Sequence, residues 1–126
     1  MTEVVICGVV SAGRQLGREL GFPTANIAVP EQLSLPDGVY RAEVEVTDAA
    51  GRRTSYPAMA NLGRNPSVGG SERRLESHLL GFEGSLYGRE IRVRLMDWIR
   101  EERKFDSLEA LRAQIEKDKQ TILTNL

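Results

Sequence analysis

Residues 39–46 alternate with a period of two. Tyr40, Ala42, Val44 and Val46 share one face of an extended segment, and Arg41, Glu43 and Glu45 share the other. An apolar face opposite a charged one reads as a strand half buried in an antiparallel sheet. Residues 91–99 repeat the pattern, with Ile91, Val93, Leu95 and Ile99 as the inward set. Such strands must cover their apolar faces against another layer, so the chain is committed to a sheet around a core.

The rest of the chain supplies further strands and then changes period. Residues 4–10 read as a buried strand. Residues 53–62 read as a weaker strand that carries Pro57, which suits an edge or a bulge. Residues 75–82 read as a strand with Glu76, His78, Leu80 and Phe82 on one face. Gly and Pro punctuate loops at residues 11–23 and 28–38, another loop spans 65–71, and Asp48-Ala49-Ala50-Gly51 signals a turn. From residue 107 the spacing is helical: Leu108, Leu111, Ile115 and Ile122 fall on one stripe. Asp106 or Ser107 can cap this helix, and Glu109 suits its first turn. Five or six short strands followed by one helix predict a small barrel, because closure removes exposed sheet edges.

A chain of 126 residues suits a single domain, with the barrel at about 4–99 and the helix at about 107–124. Its net charge of −1 gives no general attraction to nucleic acid or to acidic membranes. Any anion must therefore be held by local geometry. Cys7 is the one cysteine, which excludes an internal disulfide and fits a reducing compartment. Its expected place is a buried position in the first strand. The N-terminus has no basic region, and Gly8 interrupts a short apolar run, so neither a signal peptide nor a membrane span is expected. The expectation is a cytoplasmic monomer.

Three segments carry chemistry. Residues 17–27 combine Gly17, Arg18, Gly21, Pro23, Thr24 and Asn26. Gly lets backbone N–H groups approach a ligand, and Arg pairs with phosphate oxygens. If the segment is extended, Thr24 and Asn26 point the same way and offer oxygens suited to magnesium. The same residues also read as a Gly/Pro turn whose Thr and Asn satisfy their own backbone. Neither a lysine-bearing phosphate loop nor a dinucleotide fingerprint is present. Glu76 is the second candidate. A carboxylate facing a barrel interior must be paired or used, and can accept a proton from an attacking alcohol; a Glu at a strand end beside Arg73 or Arg74 is the alternative. His78 shares its face and reads as a hydrogen-bonded structural residue. Residues 98–105 mix Trp98 and Phe105 with Arg100, Arg103 and Lys104. That mixture can bracket a planar ring, or it can form a solvated loop before the helix.

In order and spacing these segments resemble the riboflavin kinase family over about residues 8–118. The shared pieces are Gly17-Arg18-x-Leu20-Gly21-Phe22-Pro23-Thr24-Ala25-Asn26, Pro36-Asp37-Gly38-Val39-Tyr40 and Asn61-Leu62-Gly63. Leu75-Glu76-Ser77-His78, Leu86-Tyr87-Gly88, Ile99-Arg100 and Lys104-Phe105-Asp106-Ser107-Leu108 complete the set. The resemblance implies a six-stranded antiparallel Greek-key β-barrel with a C-terminal helix. It implies transfer of the ATP γ-phosphoryl group to the 5′-hydroxyl of riboflavin, giving FMN and ADP. It implies Mg2+ and nucleotide phosphates at Thr24 and Asn26, and a nucleotide loop containing Gly13, Gly17 and Arg18. Leu79, Gly81 and Tyr87 fall where the family contacts ATP. Glu76 falls at the catalytic base, and Arg100, Arg103 and Phe105 fall where the family contacts the flavin.

Two segments depart from the family wording. Asn65-Pro66-Ser67 stands where many bacterial members have Arg-Pro-Thr, and Ser11-Ala12-Gly13-Arg14 replaces the usual His-Gly-Asp element. These departures keep a second hypothesis open, a flavin- or nucleotide-binding barrel without catalysis. A barrel that binds RNA or another protein is a third, weakened by the net charge. Many bacterial relatives carry an adenylyltransferase domain that makes FAD. A stand-alone kinase that stops at FMN is the expectation for this polypeptide.

Overall fold

The computed structural model describes residues 4–11, 24–30, 32–64, 73–82, 84–101 and 106–124. These form six strands, β1 (Val4–Val9), β2 (Thr24–Ala28), β3 (Gly38–Thr47), β4 (Arg53–Arg64), β5 (Arg73–Leu79) and β6 (Glu90–Arg100), and a helix, α1 (Leu108–Thr124). All neighbours are antiparallel, in the order β1-β6-β3-β4-β5-β2. β3, β4 and β5 are consecutive neighbours and β6 returns beside β3, which is a Greek key. The sheet rolls until its two edge strands meet at a bridge between Ser11 and Asn26.

The expected alternation forms the core. Tyr40, Ala42, Val44 and Val46 of β3 meet Ile91, Val93 and Leu95 of β6, with Leu75, Leu79, Ala25, Ile27, Ala58, Ala60 and Leu62 completing the barrel interior. The β3–β4 hairpin turns where Asp48 Oδ1 accepts from the N–H groups of Ala50 and Arg52, at 2.9 and 2.8 Å. Gly51 there has φ of 83°, a conformation that other residues adopt at a cost.

Four expectations are corrected. β1 is not buried throughout. Ile6 points inward, whereas Val5, Cys7 and Val9 face outward and are exposed, because β1 is an edge strand with one face in water. β4 is central, lying between β3 and β5, although it carries Pro57. The carbonyl of Pro57 accepts from Leu80 N–H on the β5 side, beyond the last β4–β5 pair, Ala58 and Leu79. A residue's N–H and C=O point the same way in a strand, so the missing donor faces the side where that ladder ends. Ile99 packs under α1 rather than in the barrel, because register shifts on the β3–β6 ladder separate it from the Ile91–Leu95 phase. Leu108 is exposed.

Ser107 caps α1: its Oγ accepts from Ala110 N–H at 3.1 Å, satisfying an orphan donor of the first turn. Ile115 and Ile122 close a second cluster with Val39 and Met59 on the outer face of the sheet. Asp118 lies on the same stripe and is 2% exposed.

Two buried groups organise the β2–β3 connection. Arg73 donates to Asp37 Oδ1 at 2.7 Å and to the carbonyls of Leu33 and Leu35. Tyr40 donates its phenol O–H to the Pro36 carbonyl at 2.6 Å.

Candidate active site

Residues directly opposite each other across antiparallel strands share a face. The registers therefore define two rows on the outside of the barrel. Arg100, Val39, Asn61, Glu76 and Asn26 form one, crossing β6, β3, β4, β5 and β2. Arg41, Met59, His78 and Thr24 form the next. α1 covers the β3–β4 end of this face. The β2–β5 end carries Thr24, Asn26, Glu76 and His78 together.

Glu76 therefore lies on the outer face, not in the barrel interior as the sequence suggested. The inward residues of β5 are Leu75, Ser77 and Leu79. The apolar residues around Glu76 in the sequence belong to the opposite side of the strand, and a period of two separates them. The Glu76 side chain keeps 23% of its exposure, and its Oε1 lies 3.5 Å from His78 Nε2. A carboxylate here is shielded yet reachable by a substrate.

Thr24 and Asn26 lie on one strand and point the same way, as an extended segment requires. Asn26 is 8% exposed. Its Oδ1 accepts from Arg74 Nε, and Arg74 Nη2 donates to Ser11 Oγ. The Arg74 guanidinium thus ties the sheet seam to the Asn26 amide. The Thr24 hydroxyl and the Asn26 amide oxygen suit a hard cation. An amide oxygen has two lone pairs, so the Arg74 bond leaves one available. Among the described residues there is no group of three or more His, Cys, Asp or Glu able to hold a metal. Thr24 and Asn26 would hold a hard cation through these two oxygens, and it would need further oxygen ligands from outside this strand.

The turn that carries Tyr87 is joined to this place. Gly88 N–H donates to the Val10 carbonyl at 2.8 Å, and Val10 N–H to the Arg89 carbonyl at 2.9 Å. Val10 precedes Ser11, which bridges to Asn26. Tyr87 is 67% exposed beside that junction. Gly81 is exposed with φ of 85° just after β5. Leu79 differs: the whole residue is 1% exposed, with its side chain inside the barrel, so it offers no surface to a ligand. Arg100 is committed to α1, where its guanidinium grips Asp118. Gly13, Gly17, Arg18, Arg103 and Phe105 lie outside the described residues, as does Asn65-Pro66-Ser67.

Sequence reasoning weighed Arg74 only as a neighbour of a strand-end Glu76 and passed over Asp118. Arg74 gives no local signal, because its partners are 48 and 63 residues away. Asp118 did give one: a carboxylate on the apolar stripe between Ile115 and Ile122 requires a cation opposite it.

The described residues thus form a rolled antiparallel barrel in which a carboxylate on β5 stands opposite the oxygen-bearing strand β2. The Flavokinase family model, described as riboflavin kinase, matches residues 1–126. The chain is 45% identical over 116 residues to the bifunctional riboflavin kinase/FMN adenylyltransferase of Escherichia coli K12, covering 92% of this chain and 36% of that one. The chain thus spans about a third of the length of such curated relatives. The crystal structure of riboflavin kinase from Trypanosoma brucei superposes with a TM-score of 0.71 at 25% identity, covering 100% of this chain and 82% of that one. A structure described as a macrolide-efflux protein from Streptococcus pneumoniae superposes with a TM-score of 0.80 at 34% identity, covering 96% of this chain and 38% of that one. The chain belongs to the riboflavin kinase family.

Proposed function

We propose that this chain transfers the γ-phosphoryl group of ATP to the 5′-hydroxyl of riboflavin, giving FMN and ADP, with Mg2+ held at Thr24 and Asn26. The observation that carries this reading is the pairing of Asn26 with Glu76 across the β2–β5 ladder. It sets a proton acceptor beside the strand that offers the metal its oxygens.

Phosphoryl transfer asks little covalent work of a protein and much positioning. Glu76 orients the 5′-hydroxyl and accepts its proton. The hydroxyl oxygen forms a bond to the γ-phosphorus, the bond to the β,γ-bridging oxygen breaks, and ADP leaves with that electron pair. Bound Mg2+ would neutralise charge on the phosphates. Thr24 and Asn26 fix where the phosphates lie relative to Glu76. Gly13, Gly17, Arg18, Gly81 and Tyr87 belong to the nucleotide side in this reading. Arg103 and Phe105 belong to the flavin side in this reading, and Arg100 fixes α1 through Asp118.

The family model and the relatives named for riboflavin kinase activity support the substrates. We read the protein as a cytoplasmic monomer that uses no nucleic acid. No helix among the described residues is long and apolar enough to cross a membrane.

The test is direct. Riboflavin, ATP and MgCl2 are incubated with the protein and FMN is resolved by chromatography, with CTP as a parallel donor. FMN formation is expected. Flavin fluorescence quenching without FMN, from folded protein and either donor, would leave a flavin-binding barrel instead.

A further inference from the structure

Asn61 is a polar group of this face that the proposed reaction does not use. It stands in β4 between Val39 and Glu76 in the cross-strand row. Its Oδ1 is buried and accepts no hydrogen bond among the described residues. A buried acceptor without a donor is destabilising, and most native acceptors have one. An amide that merely filled this space would be better replaced by an apolar side chain. The surroundings change character at this position. On one side lie Val39, Met59, Ile115 and Ile122, the apolar cluster under α1. On the other lie Glu76 and Asn26. A molecule lying along the row would pass from apolar to polar contacts at Asn61.

We propose that Asn61 reads the hydroxyl next to the one that is phosphorylated. While Glu76 holds the reacting hydroxyl, Asn61 Oδ1 accepts a hydrogen bond from the hydroxyl on the adjacent carbon. This rests on the kinase reading above. Opposed residues on neighbouring strands have Cβ atoms about 4.5–5.5 Å apart, so these two side chains reach successive positions of one polyol chain. The site then selects a polyol over a simple alcohol. A site built to hydrogen-bond a hydroxyl rejects the analogue that lacks it, because its own polar group is left unpaired.

The experiment compares riboflavin with 4′-deoxyriboflavin on the wild type, Asn61→Leu and Asn61→Ala. Two readouts are taken: fluorescence quenching without nucleotide, and kcat/KM with ATP and Mg2+. The wild type should prefer riboflavin by about tenfold or more. Both variants should bring that preference close to one by weakening riboflavin alone, with a melting temperature equal to or above that of the wild type. A preference that survives in the variants, or a loss shared equally by both flavins, overturns the proposal. Misfolding of both variants would make Asn61 structural and overturns it as well. Absence of FMN from every protein would count against the kinase reading alone, since the quenching preference still decides the role of Asn61.

Discussion

Arg100 at the end of β6 grips Asp118 in the middle of α1 with two nitrogens. Nε lies 3.1 Å from both carboxylate oxygens and Nη2 lies 2.7 Å from Oδ2. Gln114 adds a bond to Oδ1 at 3.1 Å. Asp118 is nearly sealed from water, so the pair is a buried polar lock beside the apolar cluster between α1 and the sheet. Removing one member of a buried pair strands the other and costs about 3–5 kcal/mol. Asp118→Ala should therefore lower the melting temperature by more than about 10 °C, at roughly 4 °C per kcal/mol for this size. The double variant Arg100→Met, Asp118→Leu should recover much of that loss. Thermal scans of the three proteins decide it; equal losses in the single and double variants would show that the pair is not coupled.

Glu76→Gln keeps the shape of the side chain and removes its basicity. Turnover should fall by roughly 10²–10⁴-fold, the usual contribution of a positioned general base. Riboflavin quenching should be unchanged, because the variant still offers a hydrogen-bonding group at the same place. Single-turnover FMN formation measures the first quantity and fluorescence titration the second. A turnover close to wild type would take the proton-accepting role away from Glu76.

Asn26 links the seam of the sheet to the proposed metal site, so its substitutions separate oxygen donation from folding. Asn26→Ala removes the amide oxygen, and half-saturating Mg2+ should rise by at least about tenfold. Asn26→Asp keeps an oxygen at that position and should retain Mg2+ binding. The readout is Mg2+ dependence of nucleotide binding by calorimetry, beside loss of turnover in a chelator. Equal Mg2+ dependence in both variants would place the metal elsewhere.

The residues that were legible and those that were not divide on physical grounds. β3 and the start of β6 were readable because one face of each strand is in water, and the period of two survives in the sequence. Glu76 was found but turned the wrong way. Leu75 and His78 are both buried, on opposite faces of β5, so burial on both sides erased the alternation that fixes direction. β2 was hidden because Thr24–Ala28 follows Gly and Pro punctuation and is short. The candidate site was legible through family wording more than through local chemistry. What brings Asn26, Glu76 and Asn61 together is strand order, which no local pattern encodes.

Gly38 sits where no side chain fits. A Cβ built there would stand 2.6 Å from the Trp98 ring and 2.7 Å from the Arg100 carbonyl. Trp98 packs edge-on against Tyr40 with ring centroids 5.6 Å apart, so neither neighbour gives way easily. Gly38→Ala should cost about 1–3 kcal/mol, the usual penalty of overpacking. Because Arg100 is one of the two groups displaced, flavin quenching should weaken along with stability. Chemical denaturation and a riboflavin titration on the same preparation check both parts. A stability equal to wild type would contradict the close approach.

Tyr40 gives the fold an alkaline limit. Burial pushes its phenol above the ordinary value near 10, the Arg73 guanidinium pulls it back in part, and the Asp37 carboxylate adds to the rise. The folded protein thus holds this proton more tightly than the unfolded chain does. The associated stability is fully present below the unfolded value and is lost as the pH rises through the higher folded one. Deprotonation also removes the bond to the Pro36 carbonyl, which has no donor to offer an anion. Tyr40→Phe should cost about 1 kcal/mol near neutral pH, the net worth of one hydrogen bond. It should also flatten the fall in melting temperature between about pH 9 and pH 12. Melting curves of both proteins across that range carry the test, and parallel curves would assign the alkaline loss to other groups.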